Sequence, residues 1–294
     1  MPLIKSQRIR KIPRKILYAV FIYLSAIVLF LFLVGPYLWM FISSISYERE
    51  LTTIPPHFFP DNPTWERYIG LITGRATSVL GETGIGFRRA FMNSIIVALV
   101  ATIIIITLSS LAAYATRFSF QGRNLFMFLI LITQMISRSA IIIPIYLIMG
   151  YLGLKDKRIG LIIIYIGFLL PIAIWILRNY FMTIPKEISE AAVIDGCSHI
   201  NVLIKIILPM VSPGLFATGI YVFLSAWNEF FFALILTSTN AKTITVAITE
   251  FSTQGGIDYG MMTTAGIIGS IVPLILAIIF QKYLIKGLTA GWGK

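Results

Sequence analysis

Six long stretches of the sequence carry almost no charge: Ile16–Tyr47, Ala90–Thr116, Asn124–Leu154, Ile159–Leu177, Ile206–Asn228 and Tyr259–Gln281, with Arg138 the one interruption. A helix needs about 20 apolar residues to cross the hydrocarbon core of a bilayer. No segment alternates as the strands of a membrane barrel do. The expected fold is therefore an all-α integral membrane protein. Its six expected spans are about 16–41, 92–115, 125–148, 159–181, 210–238 and 263–285. The third stretch is long enough for two short helices, and a single helix kinked near Pro144 is the simpler expectation. Composition agrees, since only 12% of residues are charged against about 25% in soluble domains. The first stretch is far longer than a cleaved signal's apolar core and is read as a retained helix.

The cations orient the chain. Six lie in the tail before the first span: Lys5, Arg8, Arg10, Lys11, Arg14 and Lys15. Placing that tail in the cytoplasm puts fourteen cations inside and nine outside, as positive-inside bias requires. Both termini are then cytoplasmic. The net charge of +12 reads as this bias, with lipid as the neighbour and no nucleic-acid partner. Segments 42–90 and 239–262 lie outside. The first holds Pro55, Pro56, Pro60 and Pro63 with Gly81, Gly84 and Gly86, and suits a small cap with short helices. The second holds Gly255, Gly256 and Gly260.

Enzyme chemistry finds no support. No phosphate-cradling Gly-rich loop, nucleophile elbow or metal-ligand cluster occurs. No catalytic, cofactor or metal residue is expected. His57 and His199 fall on opposite sides of the membrane as loop and turn residues. The lone Cys197 permits no internal disulfide. Passage of a solute, or its coupling to an energy source, is the better expectation.

The cytoplasmic stretch 182–209 is the most informative. It reads as helix, break, helix. Pro185, Glu187 and Glu190 suit a helix start. Ile188, Ala191, Ala192 and Asp195 recur at helical spacing, and the paired alanines keep that face thin enough for another backbone to approach. Gly196 suits the helix end. Ile200, Leu203, Ile204 and Ile207 give the second helix an apolar face, and Pro209 and Pro213 redirect the chain. Pattern alone leaves two readings open, an amphipathic hairpin lying on lipid or a docking element.

The detailed spacing resembles the EAA loop of importer-type ABC transporter permeases. That signature runs Glu-Ala-Ala, three residues, Gly, nine residues, Ile, one residue, Leu-Pro. Glu190, Ala191, Ala192, Gly196, Ile206, Leu208 and Pro209 fill every position, and Asp195 matches the usual acid before the glycine. The chain is most similar to the six-span permeases of the carbohydrate importers. Ser225–Phe230, Ile143–Tyr146 with Leu152–Leu154, and Gln281–Gly291 resemble segments of that group. The terminal Trp292-Gly293-Lys294 and the intramembrane Arg138 depart from it.

The resemblance implies a type I importer permease fold and a non-catalytic subunit. It also implies four kinds of partner: a second homologous permease, two ATP-binding subunits, an extracytoplasmic sugar-binding protein and membrane lipid. ATP would be bound by the partners. The 186–196 helix would act as a lever in a cleft of an ATPase subunit. Glu190 and Asp195 would make its polar contacts, Ala191 and Ala192 its close fit, and Gly196 its turn. The cargo implied is a di- or oligosaccharide of maltose or trehalose type. A permease for a non-sugar solute and an ion-coupled secondary transporter are the alternatives.

Two charges fall within the spans. A buried arginine costs roughly 2.5–3.5 kcal/mol on insertion scales, so it faces a cavity or a partner. Arg138 and Glu229 count to similar depths in the outer half of the membrane. With Gln134, Trp227 and Asn228 they are candidates for a pathway lining, in which Trp227 stacks on sugar. The plainer expectation is an internal Arg138–Glu229 ion pair or a water-filled gate.

Overall fold

The structure is a computed structural model that describes residues 14–54, 58–76, 84–118, 120–253 and 256–289, with side chains between Tyr18 and Gln281. The cationic tail before Arg14, Pro55, Pro56, His57, Gly81, Gly255 and the terminus from Ala290 lie outside the described residues.

The described residues are helical almost throughout. In chain order they form α1 (Arg14–Ile45), α2 (Glu48–Thr52), α3 (Glu66–Thr73), α4 (Gly84–Ala115), α5 (Arg123–Thr133), α6 (Arg138–Tyr151) and α7 (Arg158–Met182). Next come α8 (Lys186–Ile194), α9 (His199–Val202), a π-turn (Leu203–Ile207), α10 (Leu208–Met210) and α11 (Ser212–Trp227). The chain ends with α12 (Phe231–Leu236), α13 (Ile244–Thr249), the antiparallel pair β1 (Ser252–Thr253) and β2 (Gly256–Ile257), and α14 (Tyr259–Thr289). Four helices, α1, α4, α7 and α14, are long and apolar enough to cross a membrane unbroken. Two bent pairs raise the number to six.

Two helix breaks, one in the third span and one in the fifth, correct the sequence-based expectation. The third span does not kink at Pro144. It breaks between Thr133 and Arg138 and turns by 92°. Pro144 sits inside α6 and costs that helix one hydrogen bond without ending it. The break falls at polar residues, where Gln134 donates Nε2–H to the Phe168 carbonyl of α7 at 3.3 Å. The fifth span does not run continuously to 238. It stops at Trp227 and restarts at Phe231, because the Glu229 carboxylate accepts the first free N–H groups of α12. Those bonds are 3.0 Å from Phe232 and 3.2 Å from Ala233. A capping side chain satisfies donors that only a fresh helix start leaves open.

The bundle centres on α4. Ala90, Ala98 and Ala101 are fully buried along it, and such small residues let transmembrane backbones approach. It packs along α7, while α11 lies against α4, α7 and α14. At Gly214 a Cβ would enter the Tyr180 ring of α7, which fixes the α11–α7 crossing. Helix α1 touches α14 through its C-terminal half, with Tyr37 Oη 2.6 Å from Ser270 Oγ. From Tyr18 to Leu33 no α1 side chain is buried.

The end of the bundle opposite α8 is tied by polar side chains. Arg67 on α3 donates to the Ser46 carbonyl at 2.5 Å and lies 3.9 Å from Glu48. Asp156 adopts φ +53°, unusual for a residue with a Cβ. That conformation delivers its carboxylate to four consecutive backbone N–H groups, Ser238, Thr239, Asn240 and Ala241, at 3.0–3.2 Å. Partial burial pushes the Asp156 pKa up, and the backbone donors pull it further down, to well below the usual carboxylate range. Asn93 of α4 completes the tie. It is fully buried, donates to the Asn240 and Lys242 carbonyls, and accepts from Arg158 Nε at 2.7 Å.

Candidate functional site

Residues 183–211 form a helical hairpin across the ends of α4 and α7. Helix α8 ends in two backbone bonds, Cys197 N–H to Ala192 O and Gly196 N–H to Val193 O, each 3.0 Å. This Schellman pairing needs a left-handed residue after the last turn, and Gly196 takes φ +86°. Ser198 then caps α9, accepting from Asn201 N–H at 3.4 Å. The chain runs through a π-turn, where Leu208 N–H reaches back to Leu203 O. Pro209 follows directly. It has no N–H to offer and its ring crowds the preceding turn, so the widened turn accommodates it. At Val211 the direction changes by 82° into α11.

One face of the hairpin is anchored and the other is free. Ala192, Val202, Leu203 and Ile207 are buried with Ala113, Leu177 and Phe181. Ile188, Ile206 and Leu208 pack partly against them. Glu187, Glu190, Ala191, Ile194 and Asp195 point outward, at the three- and four-residue spacing of a single helix face. Ile194 is 85% exposed. Two sequence expectations are corrected. Ala191 and Ala192 do not share a face: Ala191 is exposed and Ala192 closes the core, because consecutive helical residues point about 100° apart. Ile200 and Ile204 are exposed, and only Leu203 and Ile207 of their set are buried. Beside the free face lies an apolar pocket of about 310 Å³ lined by Phe118, Ser189, Glu190, Val193, Ile194 and His199.

The residue that fastens the hairpin is Arg117, just past the end of α4. It is only 5% exposed. Its Nη1 donates to the carbonyls of Phe181 and Ile184, and its Nη2 to the Pro185 carbonyl at 3.2 Å and Ser189 Oγ at 3.3 Å. The guanidinium thus satisfies carbonyls at the end of α7 and reaches the first turn of α8. Burial lowers its pKa from the ordinary arginine value. Nothing in the sequence separated Arg117 from other loop cations. Asp156 and Asn93 were equally silent.

The intramembrane candidates come together only in part. Both helix breaks meet α7 one turn apart. Tyr165 donates its hydroxyl to Glu229 at 3.1 Å, and Phe168 receives Gln134 on its carbonyl and Arg138 over its ring at 5.9 Å. The expected Arg138–Glu229 ion pair does not form: no described carboxylate reaches the Arg138 guanidinium within ion-pair distance. Glu229 is committed to Tyr165 and to the start of α12. Trp227 is not open to a sugar ring, being 3% exposed and packed against Phe91 and Phe223. Gln134, Arg138 and Asn228 are exposed. Cys197 is a half-buried free thiol. Among the described residues no group of His, Cys, Asp or Glu could hold a metal ion.

Comparison with known proteins meets this geometry. The family described as the inner membrane component of binding-protein-dependent transport systems matches residues 105–290. The trehalose/maltose transport system permease protein of Thermococcus litoralis is 34% identical over 94% of this chain and 97% of its own. The trehalose transport system permease protein of Mycobacterium tuberculosis is 34% identical, covering 87% and 90%. The sulfoquinovosyl glycerol transport system permease protein of Agrobacterium fabrum is 33% identical, covering 87% of each. A crystal structure of a bacterial ABC transporter that imports the acidic polysaccharide alginate shares the fold, with a TM-score of 0.75 at 23% identity over 96% of this chain and 99% of that one. With its broken spans and its anchored hairpin, the chain belongs to the family of inner membrane components of binding-protein-dependent transport systems.

Proposed function

We propose that this chain is the permease subunit of an ATP-driven importer for sugars of di- or oligosaccharide size. It forms half of the pathway beside a second, homologous permease. Two ATP-binding subunits energise the pair, and an extracytoplasmic binding protein delivers the sugar. The chain itself catalyses nothing, and both its termini and the 182–209 hairpin face the cytoplasm. The observation that carries this reading is the two-sidedness of α8. Its back is held by Arg117 and a buried cluster, while Glu187, Glu190, Ala191, Ile194 and Asp195 stand free. A rigid helix with a free acidic and apolar face suits transmission of a partner's movement to α4, α7 and α11, a two-state change driven by differential contacts. The sugar class is supported by relatives named for trehalose, trehalose/maltose and sulfoquinovosyl glycerol transport.

Glu229 bears on the ion-coupled alternative. A proton-coupled transporter needs an intramembrane acid free to take up and release its proton. Glu229 is instead held by three donors as a helix cap. Segments 42–90 and 239–262 are the candidates for contact with the binding protein, and the tie of Asp156 and Asn93 would hold the second in place. Affinity purification of the tagged chain from its native membrane tests the assembly. Recovery of ATP-binding subunits and a second permease is the expected result, and recovery of the chain alone would refute it.

A further inference from the structure

We propose that Arg138 is a solute-facing cation, and that the solute this permease passes carries an acidic group, a carboxylate or sulfonate on a sugar. The inference rests on the sugar-importer reading and narrows its substrate class. Arg138 lies deep in the membrane. Its guanidinium sits over Phe168, which counts about 15 Å from the first residue of α7 and about 21 Å from the last, at 1.5 Å per residue. A cation at that depth needs a counter-charge or water.

The chain supplies neither neutralisation nor burial. Glu229 is the acid at this level, and it is spent on Tyr165, Phe232 and Ala233. The start of α6 offers Arg138 no counter-charge, because the dipole end there is positive. The Phe168 face gives only a weak cation–π contact. Arg138 is exposed, as are Gln134 and Asn228 at the two breaks that flank α7. Broken helices at membrane depth are where transporters hold solute. The guanidinium fork matches a carboxylate or sulfonate better than it matches scattered hydroxyls.

The test uses the complete complex with its binding protein in proteoliposomes. The probes are trehalose, digalacturonate and sulfoquinovosyl glycerol. Wild type should import at least one acidic probe. Arg138→Gln should cut that uptake by about tenfold or more, the scale of a lost charge-assisted hydrogen bond, while the assembled complex is still recovered on purification. Arg138→Lys should restore part of it. Import of trehalose alone by wild type would overturn the inference and leave the sugar reading standing. Equal loss for all probes would also overturn it. So would loss of the second permease on purification of Arg138→Gln, which would assign the cation to an ion pair between subunits. Import of none of the three by wild type would overturn the inference and count against the sugar reading on which it rests.

Discussion

Arg117, one turn beyond the apolar part of α4, donates to Ser189 in the first turn of α8 at 3.3 Å, and its other bonds hold the carbonyls of Phe181, Ile184 and Pro185. One side chain therefore joins two spans to the hairpin. Movement of α8 and movement of the bundle are linked there, beside the apolar contacts of Ala192 and Ile188 with the ends of α4 and α7.

Replacing Arg117 should loosen that link. Arg117→Ala removes the guanidinium donors from the Phe181, Ile184 and Pro185 carbonyls, at about 1–3 kcal/mol for each one left unsatisfied. The expected outcome is faster amide exchange over 186–196 and a fall of at least about tenfold in solute-stimulated ATPase activity. Arg117→Lys should recover little, since an ammonium cannot reproduce the planar fork. Unchanged exchange in Arg117→Ala would remove the link.

Gly196 separates conformational need from space. No heavy atom lies within 4 Å of the Cβ that alanine would add, yet φ is +86°. Gly196→Ala should cost only about 1–2 kcal/mol and leave uptake measurable. Gly196→Pro cannot adopt that angle and loses the N–H that bonds Val193. Membrane insertion should persist while ATP-dependent uptake is abolished. Normal uptake by Gly196→Pro would sink the docking role of α8.

Glu229 should behave as a cap and not as half of an ion pair. Glu229→Gln keeps one acceptor oxygen for the α12 amides and offers its NH2 to the Tyr165 oxygen, and should retain most uptake. Glu229→Ala leaves those donors open and should lower thermal stability by about 1–3 kcal/mol. The double exchange of Arg138→Glu with Glu229→Arg should recover none of the activity lost in the single variants. Recovery would mean that the two charges meet.

The Asp156 tie predicts a pH dependence of definite sign. Its carboxylate pKa is depressed on folding. Its stabilising contribution is therefore complete above the unfolded value of about 3.9 and declines as pH falls below it toward the depressed folded value. Protection of the 238–241 amides should stay constant from neutral pH to about pH 5. Asp156→Asn offers one acceptor oxygen in place of two and should reduce that protection even at neutral pH.

Much of this was legible along the chain. Charge-free runs located the apolar helices, because a bilayer demands length and apolarity that few other folds require. The hairpin was legible because its helix starts, its glycine end and its proline exit are local chemistry. The break in the third span was misplaced because Pro144 is the stronger local signal, whereas the Gln134 contact to Phe168 is made by residues far apart in sequence. The Arg138–Glu229 pair was expected from equal depth. Depth says nothing of direction, and Glu229 spends its carboxylate on its own chain three and four residues ahead.

What the sequence alone determined was the membrane, the helical class and the position of the 182–209 hairpin. Each follows from composition or spacing within a short window. What only the tertiary structure decided was which polar groups are already satisfied. Trp227 is buried, Glu229 is a cap, Arg117 is a fastener and Arg138 is left open. In a low-dielectric interior a polar group's role depends on its partners, and partners are set by packing between helices that the chain order does not reveal.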